Sequence, residues 1–358
     1  MQRLIAILLA LLPLVSVAQK RPGNSPNPVG HFNDEAYWQK CATVKHLPAS
    51  PIKGTDTAIV VISNRKPNNT NVLRYMCEDR DGIALHYYFV FSRNGKWNVL
   101  PVESLEKAIG YMPDKSRDWV MYVEGMGKLF TSDLYRGMSM AGQNGGNVIM
   151  FDYPSITTTK GGLGNYFFSM KNARTAYKDF VPAFEHVKQL YKSGTLGSVK
   201  MSMFYHSMGN HIWRQAVRND MLDKLNGDVW VSNFIMNAPC VPRRGHKRLV
   251  NQIHFAKNIY INYNKQDFTL GGAFLVSKKR QLGQRPVRNI SKQAVYVNFN
   301  MLCGNDHSNF LSLEGRAPAK PQSLHYYNTI LHGNTPNLQD SKQFGVSTYK
   351  KIGFELLP

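Results

Sequence analysis

The chain has 358 residues, 43% hydrophobic and 19% charged, with 28 Gly and 18 Pro. That composition excludes a disordered chain, a collagen-like repeat and a coiled coil, and the length suits one large domain or two small ones. Forty-four Lys and Arg against 23 Asp and Glu give a formal charge of +21; four Cys are too few for a disulfide-built scaffold, so a hydrophobic core must hold the fold.

Residues 1–18 read as an export signal. Arg3 supplies the positive start, Leu4 to Val15 is almost unbroken apolar sequence, and Ser16-Val17-Ala18 places small residues where a signal peptidase cuts, before Gln19. The run is too short for a bilayer core of roughly 30 Å, and no other stretch reaches about 18 apolar residues. The expectation is a secreted or periplasmic protein with no membrane-spanning segment after cleavage. Residues 19–35 are Pro-, Gly- and Asn-rich, a flexible leader. One domain is expected over 36–334, with antiparallel strands in 36–110, an α/β core in 111–334, and a C-terminal extension over 335–358.

Thr57 to Ile62 is β-branched and apolar and predicts a strand. Leu85 to Ser92 predicts a second, and Arg93-Asn94-Gly95-Lys96 has the chemistry of a hairpin turn leading to a third, Trp97 to Pro101. From residue 117 strands alternate with helices. Trp119 to Val123 is a buried-type strand ending at Glu124-Gly125-Met126-Gly127, and a helical stretch runs on through Ala141. A strand follows over Asn147 to Tyr153, then a helix with apolar spacing over Ala173 to Tyr191, a strand over Val199 to Tyr205 and a helix over Asn210 to Leu222. Further strands are expected at Trp230 to Met236, Lys257 to Tyr263 and Ala294 to Asn300, with a closing helix over Gln322 to His332. Strands separated by helices of this length imply an α/β fold with a mostly parallel central sheet and helices on both faces.

Phe204-Tyr205-His206-Ser207-Met208-Gly209-Asn210 falls between a predicted strand and a predicted helix. A nucleophile elbow belongs there, a tight strand–turn–helix whose Ser is held in a strained conformation. Gly209 fills the small position two after Ser207, whereas Tyr205 stands where the first Gly of G-x-S-x-G is usual. The alternative is that Ser207 merely caps the helix.

These residues resemble the α/β-hydrolase superfamily, and His206-Ser207-Met208-Gly209-Asn210 is similar to a bacterial branch of it with no assigned function, in which the residue two before the Ser is often not Gly. The resemblance runs from Ile62-Ser63-Asn64-Arg65 to about Gly333. It implies an α/β-hydrolase fold and a Ser, acid, His order along the chain. Asp267 follows the strand Ile259 to Tyr263, lies 60 residues after Ser207 and is the only acid between Asp228 and Asp306; Phe268-Thr269-Leu270 after it matches the family pattern. A solvated turn Asp is the other reading. For the base, His307 sits 40 residues after Asp267 in Asp306-His307-Ser308-Asn309-Phe310, where the family pattern puts it, with His325 on the closing helix as the rival. His206 is expected to point away from the nucleophile. The resemblance further implies an oxyanion hole from the backbone N–H groups of Met208 and Met126. Glu124-Gly125 replaces the usual His-Gly and alters the electrostatics beside the hole. The implied chemistry is acyl transfer: His307 accepts the Ser207 proton, Asp267 fixes the imidazole, and an ester-like carbonyl is attacked.

Pro154 to Phe168 joins Gly161-Gly162 to clustered aromatics, which suits either a flap over the site or an ordinary long loop. No Gly-rich phosphate cradle, His-Glu-x-x-His or Cys-x-x-Cys occurs, so no cofactor and no metal are expected. In an oxidising compartment a Cys41–Cys77 disulfide is favoured, with Cys240 and Cys303 open. The densest basic runs, Arg243 to Arg248 and Lys278 to Arg280, lie apart from Ser207 in sequence. No nucleic-acid motif accompanies them, so an anionic surface (lipid, lipopolysaccharide or acidic glycan) is the expected partner, against a merely solvated basic face. The expected function is therefore an exported serine esterase or lipase-like enzyme acting on a small or lipid ester. Its alternatives are a non-catalytic binder of an anionic envelope surface and an amidase or peptidase with the same three residues.

Overall fold

The apolar β-branched runs assemble into one large sheet in the computed structural model, which describes residues 35–49, 52, 56–68, 75–223 and 225–358. The expected signal and the leader up to residue 34 lie outside the described residues. In chain order the first elements are α1 (Glu35–Gln39), β1 (Cys41–Thr43), β2 (Ala58–Ser63), β3 (Arg65–Pro67), β4 (Met76–Arg80), β5 (His86–Arg93), β6 (Lys96–Val102) and α2 (Leu105–Gly110). The alternating part follows: β7 (Trp119–Val123), α3 (Phe130–Asn144), β8 (Asn147–Asp152), α4 (Gly162–Thr175), α5 (Tyr177–Lys192), β9 (Met201–His206) and α6 (Asn210–Arg218). Then come β10 (Val231–Asn237), α7 (His246–Val250), β11 (Ala256–Tyr263), α8 (Phe268–Ser277), β12 (Ala294–Asn298), α9 (Asn300–Cys303), α10 (Pro321–Leu331), β13 (Phe344–Val346) and β14 (Phe354–Leu356).

Twelve strands form the central sheet in the order β1-β6-β5-β2-β8-β7-β9-β10-β11-β12-β14-β13, and β3 pairs with β4 in a separate ribbon. The run from β2 through β14 is parallel, and antiparallel pairing is confined to β2–β5–β6 and β13–β14. The central strands β2, β7, β8 and β9 are buried along their whole length, as parallel strands covered on both sides must be. Alternate side chains feed two cores: Val60 and Ile62 pack with α2, α4, α5 and α6, while Ile59 and Val61 pack with α3 and α10. The protein is thus an α/β chain with a large, mostly parallel sheet flanked by helices.

Three local features differ from the sequence reading. The segment expected as a loop to Phe168 becomes helical at Gly162: the Asn165 side chain accepts from Thr157 N (2.8 Å) and donates to Thr157 O (3.1 Å) and Lys160 O (2.6 Å), closing a turn that starts α4. Glu78 of the β3–β4 ribbon accepts from Thr158 N at 2.9 Å and from both Thr157 and Thr158 hydroxyls, so residues 157–160 are tied down from two sides. Residues 335–358, expected to extend beyond the domain, carry β13 and β14. Buried Glu355 of β14 accepts from Asn298 Nδ2 (2.9 Å) and Thr348 N (2.8 Å), bonding this hairpin to β12. The expected Cys41–Cys77 disulfide is not formed. Cys41 lies on β1, paired to β6 at the sheet's edge, and Cys77 on β4 of the separate ribbon with its Sγ towards Pro67 O, so the two thiols belong to different sheets; all four cysteines are free.

Candidate active site

β9 delivers six buried residues to a single 3₁₀ turn, Ser207–Gly209, which leads directly into α6. Ser207 sits at φ 51°, in the left-handed region that a non-glycine residue occupies only when its surroundings force it. Two close approaches do the forcing. A Cβ on Gly209 would lie 2.6 Å from Glu124 O, and one on Gly125 would lie 2.8 Å from Ser207 Cβ and 3.2 Å from Met208 N. The β7 loop therefore lies directly against the turn, and only glycine fits at either contact. The Asn210 side chain locks the turn by donating to Tyr205 O (3.0 Å) and Ser207 O (3.1 Å). Tyr205 occupies the position where Gly is usual because its ring turns into the core, 5.1 Å from Phe234 and 5.8 Å from Phe180 between ring centres.

Asp267 follows β11 and is fully buried. One carboxylate oxygen caps α8 by accepting from Leu270 N at 2.8 Å; the other lies 2.6 Å from His307 Nδ1. His307 stands in the loop after α9, which neighbouring side chains hold at several points. Asn264 Nδ2 donates to Gly304 O (2.9 Å) and Asp306 O (3.2 Å), Tyr327 of α10 donates to Asn309 Oδ1 (2.9 Å), and Ser323 donates to Asn309 O (2.7 Å). The His307 ring lies 4.7 Å from that of His206, the residue before Ser207. Asp267 and His307 are thus bonded beyond the carboxyl ends of β11 and β12, next to the residue that precedes Ser207 at the end of β9. His325, the rival base, is exposed on α10.

His206, expected to point away from the nucleophile, packs against the candidate base. Its Nδ1 pairs with Glu124 and its Nε2 lies 3.1 Å from the His307 carbonyl oxygen. Burial pushes its pKa down to about 4 against the pull of Glu124, so the ring is neutral near pH 7. Glu124 is buried, and burial alone would raise its pKa. The Arg136 guanidinium and His206 overcome that and hold the carboxyl well below the usual range. Its partners are Arg136 Nε, Tyr122 OH, His206 Nδ1 and the Gly125 N–H at 2.8 Å. Arg136 Nη2 in turn donates to Ser308 Oγ at 3.2 Å. The Glu-Gly departure therefore adds no bare charge beside Met126: the carboxylate is neutralised within a network joining the β7 loop, the turn and the His307 loop. Met126 and Met208 sit on the two backbone segments brought together at Gly125, and Lys128 Nζ steadies the first by donating to Met126 O at 2.9 Å.

One part of the site left no signal in the sequence. Residues 238–243 and 280–284 run side by side, with Gly283 N donating to Pro239 O (2.9 Å), Leu282 N to Val241 O (2.8 Å) and Arg243 N to Arg280 O (3.0 Å). The base of this ribbon touches both candidate residues. Cys240 N donates to Ser207 O at 3.0 Å, and Gln284 Nε2 to Asp267 O at 2.9 Å. The two basic runs, apart from Ser207 in sequence, are therefore joined in space and tethered to the site. Burial pushes the Cys240 thiol up to about 12, with Asp267 adding to it, so it stays protonated.

Among the described residues no group of three or more His, Cys, Asp or Glu is arranged to hold a metal ion, and no helix is long and apolar enough to cross a membrane. Set against known proteins, the chain matches no family model, no curated protein and no solved structure.

Proposed function

We propose that the protein is an exported serine hydrolase with an α/β-hydrolase fold that cleaves a carboxylic ester through an acyl-enzyme. The observation that carries this reading is the 2.6 Å bond from buried Asp267 to His307 Nδ1, made beside a strand–turn–helix whose Ser207 is held at φ 51°. With Nδ1 committed to Asp267, His307 Nε2 is the nitrogen left to take the Ser207 Oγ proton as Oγ attacks the ester carbonyl. The Met126 and Met208 N–H groups receive the oxyanion. Collapse expels the alcohol, which takes its proton from His307, and water then releases the acid by the same path in reverse roles.

The test is labelling of the purified protein by a fluorophosphonate probe, run with turnover of short-chain esters. Ser207→Ala should remove labelling and lower turnover by on the order of 10⁴-fold or more, with His307→Ala costing a similar amount because the three residues act as a unit. Undiminished turnover in Ser207→Ala, or inactivation by His325→Ala and not by His307→Ala, would overturn the assignment. A folded protein that neither labels nor hydrolyses any ester would move the reading to a binding protein that keeps the turn as scaffold.

A further inference from the structure

α8 reads FTLGGAFLVS, without a charged residue, yet only Leu270 and Ala273 of its ten residues are buried. A helix lying on a globular surface ordinarily turns polar side chains outward. Here the outward stripe, spaced i, i+4, i+7, is Phe268, Gly272 and Leu275, with Phe268 57% and Leu275 48% exposed. The helix ends at Ser277 with Lys278 as its left-handed cap, so exposed Lys278 and Lys279 of the Lys278-Lys279-Arg280 run follow directly beyond the stripe. α4 repeats the pattern: Leu163 (60% exposed) and Phe167 (50% exposed) are followed four residues on by exposed Lys171 and then by Arg174. The two helices meet where Tyr166 reaches Ser277, and α4 also packs on the Ser207 turn. α8 begins at Asp267 itself. Exposed apolar side chains thus rim the site, backed by cations.

The segment that carries α8 is strongly cationic, although exposed Asp306 follows it beside Asn305, which accepts from Phe268 N. Residues 229–305 contain twelve Lys or Arg and a single acid, Asp267, which is buried against His307. Arg244, Lys247 and Arg248 line a concavity of about 630 Å³ that continues the basic face beyond the ribbon. From this we infer that α8 and α4, with their flanking cations, dock the protein on an anionic lipid bilayer. The apolar stripe enters the headgroup boundary by about 5–10 Å and the Lys and Arg side chains meet the phosphates. A helix of ten residues, about 15 Å long, is too short to span the bilayer and must lie in its surface. Docked this way, the Ser207 turn faces the lipid layer, so that, if the serine-hydrolase reading holds, the substrate is an ester carried by that layer.

The experiment is co-sedimentation of the purified protein with phosphatidylglycerol vesicles and with phosphatidylcholine vesicles, at 0.1 M and 1 M salt. Binding should favour phosphatidylglycerol and weaken as the screening length falls from about 10 Å to about 3 Å. Leu275→Glu should weaken it about tenfold or more by removing one inserted side chain, and Lys278→Gln with Lys279→Gln should reduce the preference for the anionic lipid about tenfold or more. Ser207→Ala should bind like the parent, so docking is tested even if no esterase activity is found. Turnover of a soluble short-chain ester should survive Leu275→Glu, while turnover of an ester presented in phosphatidylglycerol vesicles should fall. No binding at low salt, equal binding to both lipids, or full binding by Leu275→Glu would overturn the proposal. So would a concentration-dependent dimer that Leu275→Glu dissociates, because a second copy would then be what covers the stripe.

Discussion

Two loops at the carboxyl edge of the sheet serve the same site and are built in opposite ways. The β7 loop carries a charged residue inward: Glu124 is buried and meets Arg136, His206, Tyr122 and a backbone N–H at once. The β11 loop and the helix after it carry one charge inward, Asp267, and the rest outward, on Lys265, Lys278 and Lys279, with Phe268 and Leu275 about half exposed beside them. A buried charge is tolerated only when it is paired and fully hydrogen-bonded, whereas a contiguous exposed apolar surface marks a place something else covers. The first loop is built to hold the Met126 backbone and the His307 loop still, and the second presents the apolar surface proposed above to meet a bilayer.

The sharpest way to break this contrast is to remove one partner from each loop. Arg136→Met strands the Glu124 carboxylate in the core and should cost about 3–5 kcal/mol, seen as a lower urea midpoint at unchanged m-value. Adding Glu124→Gln to that variant should recover much of the loss, because the uncompensated charge is then gone. Lys279→Met on the second loop should stay within about 0.5 kcal/mol of the parent. If Arg136→Met were equally harmless, the buried network would not be what fixes the first loop.

Acid should find the same difference. Burial pushes His206 down to about 4 and His211, on α6 just past the turn, down to about 3, the latter with Arg174 and Arg214 adding to the effect. An unfolded histidine titrates near 6.5. Between that value and the folded ones the unfolded chain binds more protons, so stability rises with pH across this window and is lost as pH falls through it. Thermal melts from pH 7 to pH 3 should show that decline, and His211→Gln should flatten it. An unchanged slope in the variant would show that His211 is not buried neutral.

The Ser207 turn and Asp267 were more legible in the sequence than the surroundings of either loop, for a physical reason. Strand–turn–helix geometry is local, and the string from Phe204 to Asn210 announces it. Asp267 stood out by elimination, as the one acid in a long cationic stretch, and the structure bonds it to His307. What neutralises Glu124 could not be read, since Arg136 lies twelve residues along and reaches it only once α3 packs on the sheet. The ribbon tying Cys240 and Gln284 to the site is likewise a long-range pairing without periodicity. For α8 the pattern itself misleads. An uncharged run such as Phe268 to Ser277 reads as core, and only its surroundings show that most of it is not covered.

The smallest predicted effect separates those two readings of α8 within one helix. Leu270 and Leu275 are five residues apart on the same backbone, one fully buried and the other 48% exposed. If α8 were a core helix throughout, truncating either would open a cavity and cost about 2–5 kcal/mol. With the exposure observed, Leu270→Ala should show that loss, whereas Leu275→Ser removes a side chain already half in water and should move stability by no more than about 0.5 kcal/mol. The measurement is urea unfolding of the two variants beside the parent, without lipid. A large loss in Leu275→Ser would mean that the stripe is covered by the protein itself in solution, leaving no surface for a bilayer. A negligible loss, together with weakened vesicle binding by Leu275→Glu, would mean that the second loop keeps its apolar side chains for contact and not for folding.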